Sequence, residues 1–215
     1  MAIWVNPSAF NNGDPLTLVL ANQLMVDNPQ FLYDNLGVWD AKAGYIAPLV
    51  TPSNFNLPNI PQGYESLHVV AYLRSTYTGA VQDFGIIRFN SDTGSNYSYN
   101  LIRATTTTVS GTGGSTQTSL FGAGLEVQSS HATPGALGYG VLQLTIPRYS
   151  NPDYYKSVIM QSGHYKGAGG SSHYNVSGHA VWHQQAAIDR IEINANGGLW
   201  DVGSYCAVFA GQHIS

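Results

Sequence analysis

The spacing of apolar residues constrains this chain more than any other feature. Leu67, Val69, Ala71 and Leu73 alternate with His68, Tyr72 and Arg74, the period of two that places one set of side chains on one face of a strand. Leu142, Leu144 and Ile146 repeat the pattern within residues 139–148. Further short runs rich in β-branched and aromatic residues occupy 84–90, 97–104, 125–129, 156–166, 178–185, 187–194 and 205–211. Turn-forming stretches separate them: NSDTGSN at 90–96, NPD at 151–153, KGAGGSS at 166–172 and NANGG at 194–198. Many short strands with frequent turns and no helical period between them predict an all-β sandwich or barrel of about eight or nine strands. Several connections are longer than tight hairpins, which favours a jelly-roll-like β-sandwich over an up-and-down barrel. Residues 105–119, four threonines followed by a glycine-rich run, read as a strand end leading into a mobile loop.

The first sixty or so residues differ. Residues 16–26 (LTLVLANQLMV) fit a strand or a short helix, and periodicity does not decide between them. Pro48, Pro52, Pro58 and Pro61 lie among Asn, Thr and Ser, and proline removes a backbone donor and interrupts regular structure. The expected organisation is an extended N-terminal arm over residues 1–62 and a sandwich domain over 63–215. The arm is expected to contribute little to the core and to contact a neighbour.

Charge narrows the function. Only 9% of the 215 residues are charged and the net charge is −4, against about 25% charged residues in ordinary globular chains. Apolar residues reach 43%, so the chain can bury a core. No apolar stretch approaches the roughly 18 residues of a membrane helix, so no membrane partner is expected. The eight basic residues are scattered and form no stripe that displaces counterions, so no nucleic-acid partner is expected. Two explanations of the low charge stay open: a surface covered by neighbouring subunits, or one kept soluble by uncharged Ser, Thr, Asn and Gly. The N-terminal MAIWVNPSAF lacks the positive and long apolar regions of a secretory signal. The single Cys206 lies in an apolar run and reads as a small core residue.

Chemistry-bearing patterns are sparse. Asn90, Asp92 and Asn96 surround Gly94; this reads as an Asx-stabilised turn or as a loop of hard oxygen ligands for Ca²⁺, and the second reading lacks the spaced Glu of an EF-hand. His179 and His183 share a face on a strand, with His164 and His173 nearby, but zinc needs three or four converging ligands. Hydrogen-bonded or solvated histidines are the simpler reading. Gly111–Gly114 precedes no helical pattern and is no phosphate loop. Asp189 and Glu192 near Arg190 read as surface pairs. No nucleophile–base or paired-acid motif is present, so the chain is expected to be no enzyme and to hold no catalytic residue, metal or cofactor. The fourteen tyrosines, Tyr64, Tyr72, Tyr77, Tyr97, Tyr99, Tyr149, Tyr154 and Tyr155 among them, suit subunit contacts, sugar stacking or a plain sandwich core and rim.

Three stretches carry a resemblance. LHVVAYLRS (67–75) is a strand ending in Arg-Ser. RFNSDTGSNYSYN (88–100) resembles a Phe-Asn-x-Asp-x-x-x-Asn-Tyr pattern. AIDRIEINANGGLWDVGSYCAVFA (187–210) pairs Ile-x-x-Ile with a Gly turn and a Gly-Ser lead into a final aromatic strand. YSNPDYYKSVIM (149–160) followed by HAVWH (179–183) adds to the order. Together, from Leu67 to Gly211, they resemble bacteriophage virion proteins with jelly-roll domains, except that Phe209-Ala210-Gly211 stands where such proteins often have Leu-Tyr-Gly. The resemblance implies a structural virion protein on the capsid surface, a decoration or cement protein that binds the major capsid protein as a homotrimer. The alternative it implies is a tail or head-fibre module recognising host surface glycans. Tyrosine-rich strand ends and the region of Ile191, Ile193, Trp200 and Phe209 are the expected contact residues.

Overall fold

In the computed structural model, residues 40–46, 54–80, 82–120, 126–129, 138–165 and 173–211 are described, and they contain twelve strands and no helix. In chain order the strands are β1 (Asp40–Ile46), β2 (Asn54–Leu57), β3 (Ser66–Ser75), β4 (Gln82–Phe89), β5 (Tyr97–Ala104), β6 (Val109–Gln117), β7 (Glu126–Ser129), β8 (Gly140–Pro147), β9 (Lys156–Tyr165), β10 (His173–Trp182), β11 (Ile191–Ala195) and β12 (Tyr205–Gly211). Eight of them form one antiparallel sheet in the order β6-β5-β10-β9-β8-β3-β12-β1. A smaller antiparallel sheet runs β2-β11-β4. β7 stitches one seam, antiparallel to β4 and parallel to the end of β3. The arrangement is an all-β sandwich.

Alternation builds the core. Leu67, Val69, Ala71 and Leu73 of β3 are fully buried, as are Leu142, Leu144 and Ile146 of β8 and Val158 and Met160 of β9. They meet Phe55, Leu57, Ile87, Phe89, Ile191 and Ile193 from the small sheet. Each of these Val, Leu, Ile, Phe and Met side chains contributes about 1.5–3 kcal/mol by leaving water, and Ala71 less. One inward position must be empty: a Cβ on Gly178 in β10 would stand 2.2 Å from Leu101 Cδ2 and 2.6 Å from Asn100 O. Glycine there lets the Leu101 side chain fill the space across the β5–β10 pair.

A buried carboxylate fixes one end of the sandwich. The chain crosses between sheets there twice, from β3 to β4 and from β11 to β12. Asp83, only 1% exposed, accepts hydrogen bonds from Ser75 Oγ at 2.5 Å, from its neighbour Phe84 N at 2.7 Å and from Gly197 N at 2.9 Å. Thr76 N donates to Leu199 O at 2.8 Å, and Leu199 N to Thr76 Oγ1 at 3.0 Å. Both crossings therefore hang on one side chain and its neighbours.

Two expectations change. The boundary at residue 62 cuts through the sandwich: β1 pairs with β12, β2 pairs with β11, and Phe55, Leu57 and Ile60 are core residues. Pro58 and Pro61 fall just after β2 and bound it without interrupting it. Phe55 alternates onto the inner face and stacks on Trp200 with ring centroids 6.0 Å apart. The rest of the expected arm, including 16–26, lies outside the described residues. The glycine-rich stretch read as a mobile loop contains β6, because ladder hydrogen bonds to β5 are made by the backbone and ask nothing of the side chains. The expected turn at 166–172 also lies outside the described residues.

Two substitutions test this packing. Phe55→Ala is expected to lower unfolding free energy by about 3–5 kcal/mol, read from urea midpoints; an arm outside the core would leave the midpoint unchanged. Asp83→Ala strands three donors and is expected to cost about 2–3 kcal/mol in the same measurement.

Candidate functional site

The turn between β4 and β5 holds the residues singled out in the sequence. Asn90 and Ser91 take left-handed backbone angles, φ 51° and 55°, which asparagine tolerates better than most residues. The Asn90 side chain bridges to the connection between β10 and β11: its Oδ1 accepts from Asp189 N at 3.0 Å and Arg190 N at 3.2 Å, and its Nδ2 donates to Ala187 O at 2.7 Å. Asp92 accepts from Trp182 Nε1 at 2.7 Å, Gly94 N at 2.8 Å and Asn96 Nδ2 at 3.0 Å. The Tyr97 hydroxyl donates to Asp92 O at 3.2 Å and receives Phe89 N at 3.1 Å. Every named residue of the Phe-Asn-x-Asp-x-x-x-Asn-Tyr stretch is thus consumed in a latch between the two sheets. Three N–H donors already point at the Asp92 carboxylate, and donors repel a cation, so the turn reading holds and the calcium reading does not fit. Nearby, Ser91 Oγ donates to Glu192 Oε1 at 2.8 Å and receives Arg190 Nη1 at 3.4 Å.

The histidines are divided between faces. His164 is buried on the inner face of β9, its ring stacked on Tyr174 at 4.9 Å. His173 and His179 point outward from β10. His183 shares their side and pairs through Nε2 with Ser98 Oγ at 2.8 Å. Among the described residues no group of three His, Cys, Asp or Glu is placed to hold a metal, and no helix is long and apolar enough to cross a membrane. Cys206 is buried in β12, and burial pushes its thiol up to about 12. A recess of about 260 Å³ is lined by Tyr64, Glu65, Arg148, Ser150, Asn151 and Pro152; one carboxylate there cannot do the work of an acid pair.

Of the residues expected to form contacts, Ile191, Ile193 and Trp200 are fully buried core. Tyr97 and Tyr149 are buried too, their hydroxyls bonded to backbone carbonyls. They belong to the packing because their positions alternate inward or close the sandwich ends. Phe209 is different: it lies on the outer face of the large sheet.

That outer face is the unusual surface. Its central row runs Ala207, Val70, Gln143, Gln161, Ser177, Ile102 across six strands in register. The next row runs Phe209, His68, Thr145, Ile159, His179, Asn100. Ile102 and Ile159 are 60% and 55% exposed. Burial lowers the pKa of His68, and its Nδ1 lies 3.1 Å from Thr145 Oγ1. Across β12, β3, β8, β9, β10 and β5 the outward positions hold no Asp, Glu or Lys, and only Arg74 at the border carries a fixed charge. Beside Arg74, Tyr72 stacks on Tyr139 at 4.6 Å and approaches Tyr205 at 5.8 Å, and Arg74 Nε pairs with Asp201 Oδ2 at 3.4 Å. Among the described residues, a wide surface nearly free of charge thus lies on one face; composition pointed to such a surface, and the face itself needed the strand register.

No family model, curated protein or solved structure matches this chain.

The latch has a pH signature. Burial pushes the Asp92 carboxyl up, but the bonds from Trp182, Asn96 and Gly94 outweigh it and the net shift is downward. A carboxyl lowered on folding stabilises the native state above its unfolded-state value, and that contribution is lost as pH falls through the lowered native value. Urea midpoints are therefore expected to drop on acidification below about pH 4, and Asp92→Asn, less stable at neutral pH, is expected to show a shallower drop. An identical acid dependence in both proteins would place the titration elsewhere.

Proposed function

We propose that this chain is a structural protein of a bacteriophage particle: a capsid decoration protein that binds the major capsid protein as a homotrimer and catalyses nothing. The observation that carries this reading is the outer face of β12, β3, β8, β9, β10 and β5, where Arg74 at the border is the one fixed charge. A solvated protein surface ordinarily mixes charges of both signs, and wide uncharged surfaces with exposed apolar residues mark places that a partner covers. Interface cores are depleted in charge, as the outward positions of β12, β3, β8, β9, β10 and β5 are. The motif order that resembles jelly-roll virion proteins supports the same reading. In the assembled particle the face lies against shell subunits, and the exposed apolar side chains leave water there.

A second reading rests on the Tyr72, Tyr139 and Tyr205 cluster. Tyrosine rings stack on the apolar faces of sugars while neighbouring polar groups orient hydroxyls, and Arg74 and Asp201 stand beside the rings. On this reading the domain is a tail or head-fibre module that recognises host glycans.

One pair of variants separates them. Gln161 and Ser177 are cross-strand neighbours near the middle of the face, and Gln161→Lys with Ser177→Lys puts two like charges there. The variant is expected to keep its urea midpoint to within about 0.5–1 kcal/mol and to lose binding to particles lacking this protein. Retained binding, with Tyr205→Ala abolishing saturable binding on a glycan array, would favour the second reading.

A further inference from the structure

Edge strands expose rows of backbone donors and acceptors, and natural sheets blunt them with charges, proline, irregularity or short length. Among the described residues this sandwich has three such edges. β1 carries Asp40 and Lys42 in sequence and breaks register between Ala41 and Ala43. β2 is four residues long and is followed by Pro58. β6 has none of these protections over its first six residues. From Val109 to Gly114 it pairs with β5 without a break, from Ala104 to Tyr99; the register shifts only beyond that, near Thr116 with its φ of 54°. It contains no charged residue and no proline, and both its faces are solvent-exposed.

The side chains of this stretch are complementary to themselves. Two antiparallel strands related by a two-fold axis normal to the sheet pair residues whose numbers have a constant even sum. Centred on Gly111, that rule sets Val109 opposite Gly113 on the outward face and Ser110 opposite Thr112 on the other. Val109, 74% exposed, then covers a glycine of the other copy, and the two hydroxyl pairs are placed to hydrogen-bond. Glycine inside a strand marks a place where another backbone approaches closely, and Gly111 meets its own copy at the axis. A second copy of the chain is the partner that this pattern fits: its backbone row is identical, its edge is equally uncharged, and its glycines receive the protruding side chains.

We propose that β6 is a strand-addition site through which two copies join their large sheets, β6 to β6, antiparallel and centred on Gly111. The joint extends the antiparallel order of the sheet from one copy into the next and carries the charge-free outer face across the boundary. It goes beyond the decoration reading and does not depend on it: a two-fold joint links three-fold units on a shell, and it forms equally between copies of a protein with another role.

Disulfide trapping tests it on the full chain without any particle. Cys206 is 1% exposed, so an introduced surface cysteine is the reactive one. A side chain at Gly111 meets nothing closer than Leu101 O at 3.8 Å, so Gly111→Cys fits the strand. With copper–phenanthroline as oxidant, Gly111→Cys is expected to give a disulfide-linked dimer, while Asn100→Cys, exposed on the neighbouring strand, stays uncross-linked. A mixture of Ser110→Cys and Thr112→Cys is expected to yield mixed dimers in excess of either variant alone. The mixed pair also guards against a Gly111→Cys chain that fails to fold. Cross-linking of Gly111→Cys no greater than that of Asn100→Cys, or no preference for the mixed pair, would overturn the proposal. Either result leaves particle binding, measured separately, to decide the decoration reading.

Discussion

Two aspartates at opposite ends of the β4–β11 pair tie together the places where the chain crosses between the sheets. β3 and β10 belong to the large sheet, β4 and β11 to the small one, so the chain must leave one layer for the other at every connection between them. Asp83 ties the β3–β4 crossing to the β11–β12 crossing, through Ser75 on one side and Gly197 on the other. At the far end Asn90 ties the β4–β5 crossing to the connection after β10, and Asp92 ties the same turn to Trp182 on the inner face. A crossing leaves backbone donors with no ladder to join, and a buried donor left unmet costs about 1–3 kcal/mol. Asp83 meets two such donors and a hydroxyl, and Asp92 gathers one backbone and two side-chain donors. With both ends closed in this way, the inner faces are held in register and the alternating Leu, Ile and Val positions can fill the space between.

The same closure frees the outer face of the large sheet from any structural duty. Its side chains support no second layer within the described residues, and the charged residues gather instead at the ends, as with Glu65, Arg148 and Asp201, or beside the small sheet, as with Arg88, Asp189, Arg190 and Glu192. An antiparallel sheet with Gln, Ser, Thr, Ile and Tyr on its open side is suited to lying against another surface. Its β6 margin offers backbone groups for the same purpose. Face and edge supply two different kinds of contact, one through side chains and one through the backbone.

Much of this was legible in the sequence wherever a side chain reports its own environment. The alternation at 67–73 and 142–146 identified both strands and their buried faces. The Asx residues at 90–96 identified a turn, and Cys206 a core position. The rest depended on partners distant in sequence. Asp83 looked like any acid, because its partner Gly197 lies more than a hundred residues away. The glycines of β6 looked like a loop because the strand is held by β5, through backbone bonds that leave no mark on composition. Pro58 and Pro61 hid β2, whose Phe55 and Leu57 carry the period of two over only four residues, too short a run to stand against four prolines. Ile191, Ile193 and Trp200 looked available for contacts because apolar residues at an interface and in a core obey the same pattern.

The functional account turns on where the charge-free face lies when the protein is at work. A cryo-electron microscopy reconstruction of the phage particle proposed to carry this chain, at a resolution that separates strands, measures this directly. The account predicts density for three copies around a three-fold or quasi-three-fold position, with β8, β9 and β10 turned toward shell subunits and Ile102, Ile159 and Gln161 out of contact with solvent. Density in which that sheet faces bulk solvent, with the shell contacted instead through the small sheet or the sandwich ends, would contradict it.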